Sequence, residues 1–88
     1  MIEKEIVLQN KLGLHARPCS LIAKTASQFK ADLKVKKDDM EVNGKSVINL
    51  MMLGAPYQTT LEFTADGDDE KQLMTEIIEL IENKFYEE

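Results

Sequence analysis

Three stretches of this 88-residue chain alternate their side chains with a period of two and keep one polar face: "IEKEIVLQ" (2–9), "DLKVK" (32–36) and "TTLEFTAD" (59–66). In the first, Ile2, Lys4, Ile6 and Leu8 share one side, and Glu3, Glu5, Val7 and Gln9 share the other. In the second, Leu33 and Val35 point inward, and in the third Thr59, Leu61, Phe63 and Ala65 line one face. A fourth, shorter strand is expected at "MEV", with Met40 and Val42 inward, before the Asn43-Gly44 turn. A sheet with one polar face needs cover on the other face only. The pattern therefore implies an α+β domain of two layers, with helices on one face of a mostly antiparallel sheet. It does not give the strand order.

Helices fill the gaps. The first is expected from about His15 or Ala16 to Phe29. At about 100° per residue, Cys19, Ile22, Ala26 and Phe29 fall on its inner side. Arg17, Ser20, Lys24, Ser27 and Gln28 fall on its outer side, and Leu21 lies at the border. "SVINLMML" predicts a short helix whose first amides are capped by the Ser46 hydroxyl. "DGDD" turns the chain and starts a last helix from about Glu70 to Phe85. Its inner stripe is Leu73, Ile77, Leu80 and Ile81, opposite Lys71, Thr75, Glu79 and Glu82. The order is β-α-β-β-α-β-α, with no linker or repeat, so residues 1–88 read as one domain.

Charge and length exclude several functions. Sixteen acidic against 11 basic side chains give a net charge of −5, the wrong sign for a nucleic-acid partner. "VINLMMLGAP" is far short of the ~20 apolar residues that span a bilayer, and "MIEKEIVLQN" carries charges where a signal peptide has its apolar core. A single cysteine makes no internal disulfide, which fits a reducing cytoplasm. A soluble cytoplasmic monomer without membrane insertion is the expectation.

The chemistry concentrates in "NKLGLHARPCS" (10–20), which holds the only histidine, His15. His15 stands where backbone N–H groups lack helical partners. Free donors and the helix dipole favour an anion there. Arg17 offers a fork that fits phosphate oxygens, and the imidazole adds a nucleophilic nitrogen. Pro18 is tolerated in a first turn, but it biases Arg17 away from helical angles, so an irregular first turn is expected. Taken singly, His15 reads more readily as a cap or a surface residue, and Arg17 as a solvated charge. Their combination at a helix start suits a phosphoryl group. "NGKS" (43–46) is not a nucleotide-binding loop, because that motif needs glycine where this chain has Asp39. His15 and Cys19 at i, i+4 supply only two metal ligands, so no metal and no cofactor is expected. A Cys-His nucleophilic pair is disfavoured because Cys19 points to the core.

"GLHARP" (13–18), followed downstream by "VNGKSVINLMML" (42–53), resembles the HPr family. These are the histidine-containing phosphocarriers of the bacterial phosphoenolpyruvate-dependent sugar phosphotransferase system. The resemblance runs essentially the whole chain. It implies an open-faced β-sandwich of four antiparallel strands with three helices. It also implies a role as carrier rather than enzyme, taking phosphate from enzyme I on His15 and passing it to the A component of a sugar permease. By the same resemblance Arg17 matches the arginine that assists transfer. Ser46 matches a serine that a dedicated kinase phosphorylates in carbon catabolite regulation, with a phosphorylase and regulatory proteins as further partners. The docking residues carried over are Ala16, Ser20, Leu21, Lys24, Val47, Ile48 and Met51.

Two features depart from the family: Cys19, where a small alanine-like residue is usual, and Pro56-Tyr57-Gln58 before the last strand, which puts partner preference in doubt. An alternative is a regulatory adaptor controlled by Ser46 phosphorylation, with sugar transport secondary or lost. An intact His15 motif favours the carrier, since an adaptor needs no nucleophile. A hydrolase built on His15 and Cys19 lacks an orienting acid that the sequence places nearby.

Overall fold

A computed structural model describes residues 1–87. The elements run β1 (Ile2–Val7), α1 (Ala16–Ser27), β2 (Asp32–Lys37), β3 (Met40–Asn43), α2 (Val47–Met52), β4 (Thr60–Asp66) and α3 (Glu70–Glu82), with a single 3-10 turn at Lys84–Tyr86. The four strands form one antiparallel sheet in the order β1-β4-β2-β3. Three helices cover one of its faces. This is the two-layer α+β architecture that the alternation requires. The strand order is the part that alternation leaves open. β4, late in the chain, inserts between β1 and β2, and no local signal reports a pairing across that separation.

Register explains both faces. Ile6 lies opposite Leu61, Val35 between Phe63 and Val42, and Ala65 between Ile2 and Leu33. Leu33, Val35, Val42, Leu61, Phe63 and Ala65 are all buried under the helices. On the open face Lys36 stands between Glu62 and Glu41, and Lys34 beside Thr64. Such cross-strand pairs suit a solvated surface. Lys4 shares the inner side opposite Phe63 yet remains exposed, because β1 is an edge strand. An inward-pointing lysine there also discourages pairing with another chain.

Cys19, Ile22 and Ala26 are buried on α1 and Leu73, Ile77, Leu80 and Ile81 on α3, as expected; α1 ends at Ser27 rather than Phe29, so Phe29 lies past the helix and only half-buried against the core. Ala23 and Met74 join them. The Asp69 carboxylate ties the α3 entry to the α1–β2 loop by accepting from the amides of Lys30 at 2.9 Å and Ala31 at 2.8 Å. Those two bonds hold its carboxyl below the usual range.

Three further expectations need correction. Met40 is not inward: it is 45% exposed. It has the inner parity, but it is the first residue of edge strand β3, opposite Lys37 at the hairpin tip, beyond the helical cover. The first turn of α1 is not irregular: it is helical from Ala16, and Cys19 N donates to His15 O at 3.1 Å. α3 does not reach Phe85. It ends at Glu82, where the Asn83 side-chain amide donates to Glu79 O at 2.8 Å, and the chain then turns left-handed.

Candidate functional site

The loop before α1 is fixed at both sides of Gly13. Gly13 N donates to Asn10 O at 3.1 Å, closing a tight turn, and the Asn10 side-chain amide donates to Gly13 O at 2.6 Å. Leu14 N donates to Ala55 O at 2.8 Å, and Leu14 itself is buried. Gly13 has φ +69, and a Cβ there would lie 2.5 Å from Ala55 O. Only glycine meets both the left-handed backbone and the close approach of the 54–59 loop. His15 is thereby delivered to the start of α1 in extended conformation, φ −94 and ψ −167.

His15 is the N-cap of α1 by backbone only, since its side chain makes no cap hydrogen bond. The imidazole is 37% exposed, and Nε2 lies 3.0 Å from Glu87 Oε2. Among the described residues Nδ1 has no partner, nor have the amides of Ala16 and Arg17. Pro18 has no N–H to offer, and the first turn carries no acidic side chain of its own. A ring nitrogen and two unpaired amides therefore share the positive end of a helix of 12 residues. This arrangement can hold an anion bonded to the ring. Arg17 is exposed two residues on, and makes no hydrogen bond or ion pair among the described residues. The structure brings it to the same end of the helix but into no hydrogen bond with His15.

Ser46 caps α2 as expected: its Oγ accepts from Asn49 N at 3.2 Å. Ser46→Ala is expected to lower the unfolding free energy by about 1 kcal/mol, read from urea melts at neutral pH. No change in the melt would show the cap to be idle. α2 packs beside α1. Of the residues carried over as docking positions, Ala16, Ser20 and Lys24 are exposed on α1, and Leu21 and Val47 are half-buried. Ile48 and Met51 are 73% and 47% exposed on α2. Leu12, Met52 and Tyr57 are also exposed apolar side chains, the last in the departing Pro56-Tyr57-Gln58 loop. That loop is bound directly to the site's own loop, since Gln58 N donates to Leu8 O at 3.1 Å.

Cys19 is fully buried, with Sγ 3.7 Å from Leu14 O. Burial pushes its thiol up to about 11. No group of metal-binding side chains occurs among the described residues. The unfolded thiol, near 8.5, releases its proton first, so the unfolded state binds fewer protons between about pH 9 and 11 and stability falls as pH rises through that window. The slope is at most about 1.4 kcal/mol per pH unit. Denaturation of wild type and Cys19→Ala across pH 8–11 is expected to show the extra loss in wild type only. Parallel curves would contradict it.

Sequence reasoning passed over Asn10 and Glu87. Asn10 is fully buried, and its amide also donates to Glu87 Oε1 at 2.7 Å. An asparagine opening a tight turn is a readable signal. Glu87 lies 72 positions from His15, and nothing local announces that contact.

Among the described residues no helix is long and apolar enough to cross a membrane. The PTS-HPr family, described as the PTS HPr component phosphorylation site, matches residues 2–83. The phosphocarrier protein HPr of Neisseria meningitidis serogroup A is 46% identical over 87 residues, covering 99% of this chain and 98% of that protein. The crystal structure of HPr-C-His from Thermoanaerobacter tengcongensis superposes with a TM-score of 0.95 at 43% identity, covering 100% of this chain and 99% of that one. Crh, the catabolite repression protein of Bacillus subtilis, crystallised as a dimer with a swapped domain, gives 0.76 at 30% identity, covering 96% and 97%. With its helix-start histidine, its open-faced sheet and these full-length likenesses, the chain belongs to the HPr family of phosphotransferase-system phosphocarriers.

Proposed function

We propose that this chain accepts a phosphoryl group on His15 from phosphorylated enzyme I and passes it to the A component of sugar permeases. The observation that carries the reading is the part-exposed imidazole beside the unpaired amides of Ala16 and Arg17 at the start of α1. A ring nitrogen's lone pair forms the N–P bond while the donor's bond to phosphorus breaks and its electron pair leaves with the donor. The phosphoryl oxygens then accept from the Ala16 and Arg17 amides, and the Arg17 guanidinium swings over them from solvent. An exposed site suits a carrier, because a second nucleophile must reach the same phosphorus. Docking uses Ala16, Ser20, Leu21 and Lys24 of α1 with Val47, Ile48 and Met51 of α2. The methionine adapts to more than one partner. Donor and acceptor share this surface, so they bind in turn.

A second reading makes the chain a regulatory adaptor phosphorylated on Ser46. Its support is the half-exposed Ser46 at the start of α2 and the likeness to Crh, named for catabolite repression. A phosphate there adds about −1.5 to −2 charges beside the apolar docking helix. Incubation with phosphoenolpyruvate and enzyme I distinguishes the two. The carrier reading expects one acid-labile, base-stable phosphate, discharged when the A component is added. Acid-stable label appearing only with ATP and a kinase, and absent from Ser46→Ala, would support the adaptor instead.

A further inference from the structure

The chain spends an unusual backbone to bring one carboxylate to His15. After α3, Lys84, Phe85 and Tyr86 have φ of 52, 55 and 58. L-residues rarely string together in that left-handed region. Phe85 at the middle of the turn is fully buried, and the turn is closed by Tyr86 N donating to Asn83 O at 2.9 Å and Glu87 N donating to Lys84 O at 3.2 Å. The result is a reversal that lays Glu87 over the loop before α1. Its side chain is 13% exposed. Oε1 accepts from the Asn10 amide at 2.7 Å, and Oε2 lies 3.0 Å from His15 Nε2. Asn10 is in turn locked by its bond to Gly13 O.

From this geometry we propose that Glu87, held by Asn10, is a positioning residue for His15. The inference rests on the carrier reading above. An ionised carboxylate only accepts, so a neutral ring facing it carries its hydrogen on Nε2. The lone pair is then on Nδ1, the nitrogen without a partner among the described residues. Glu87 thus fixes both the tautomer and the direction of the nucleophile, as an orienting carboxylate does for a catalytic imidazole. During transfer the Nδ1 pair forms the bond to phosphorus, and the donor leaves with the pair of the bond that breaks. The Nε2 proton stays on the ring. The positive charge that the ring acquires faces the Glu87 carboxylate, which stabilises it more than it stabilises the neutral ring.

The test compares wild type, Glu87→Ala and Glu87→Gln. The ring nitrogen shifts are read by NMR at pH 9, together with kcat and KM for phosphoryl transfer from phosphorylated enzyme I. Wild type is expected to show Nε2 fully protonated and Nδ1 bare. Glu87→Ala should move both nitrogens toward a mixture of tautomers and lower kcat by about tenfold, the size that a charge-assisted hydrogen bond commands. KM should stay unchanged. Glu87→Gln has one acceptor oxygen where the carboxylate serves both Asn10 and His15, so one of those bonds is lost and the variant should fall between wild type and Glu87→Ala in both the nitrogen shifts and kcat. Unchanged shifts in Glu87→Ala, or a loss confined to KM, would overturn the proposal. The shifts are read on the protein alone. If wild type takes no phosphate, the carrier reading fails, while the shifts still decide whether Glu87 holds the ring.

Discussion

His15→Ala is expected to take up no phosphate from phosphoenolpyruvate and enzyme I, a loss of at least about 10³-fold, because the chain has no second imidazole to act as nucleophile. The fold should survive the change. The ring makes no cap hydrogen bond, and the carbonyl that opens α1, accepting from Cys19 N, belongs to the backbone. The substitution removes the part-exposed pair with Glu87, and pairs of that kind contribute at most about 1 kcal/mol. Labelling and urea denaturation measured on the same sample separate the two effects. A variant that unfolds within about 1 kcal/mol of wild type yet takes no label fits the account. A variant that keeps its label contradicts the assignment of the site.

Phe85→Ala is expected to cost far more stability than His15→Ala or Ser46→Ala. Phe85 is among the largest fully buried side chains, and truncating such a ring costs about 3–5 kcal/mol. In a domain of this size that is a fall in Tm of more than about 12 °C. Something must hold Lys84, Phe85 and Tyr86 at positive φ, since left-handed backbone costs an L-residue roughly 1–2 kcal/mol. The buried ring is the anchor that does so. Removing it should also free Glu87, so the ring nitrogens of His15 should shift in Phe85→Ala as they do in Glu87→Ala. A destabilisation below about 1 kcal/mol, or ring shifts left unchanged in the folded variant, would show that the turn does not depend on Phe85.

What the sequence disclosed and what it withheld divide along one physical line. Local patterns reported local structure. The alternation of Leu33-Val35 and Leu61-Phe63-Ala65 marked the covered face of the sheet. Ser46 announced the start of α2, and "GLHARP" placed His15 at the entrance to α1. Met40 followed its parity but not its burial, because parity says nothing about where the helical layer ends. Pairings between distant segments were not readable. β4 lies between β1 and β2 although nothing in either segment says so, and Glu87 meets His15 across 72 positions. The end of α3 is equally illegible in local pattern. "NKFY" continues a helical pattern on paper, yet the chain turns left-handed there with Phe85 buried in the core.

The most direct measurement locates the phosphate itself. The protein phosphorylated through enzyme I, kept alkaline, is examined by tandem mass spectrometry for the residue and by coupled phosphorus and nitrogen NMR for the ring atom. The account predicts a single phosphate on Nδ1 of His15, with Nε2 still protonated. Phosphate on any other residue, or on Nε2, would contradict it.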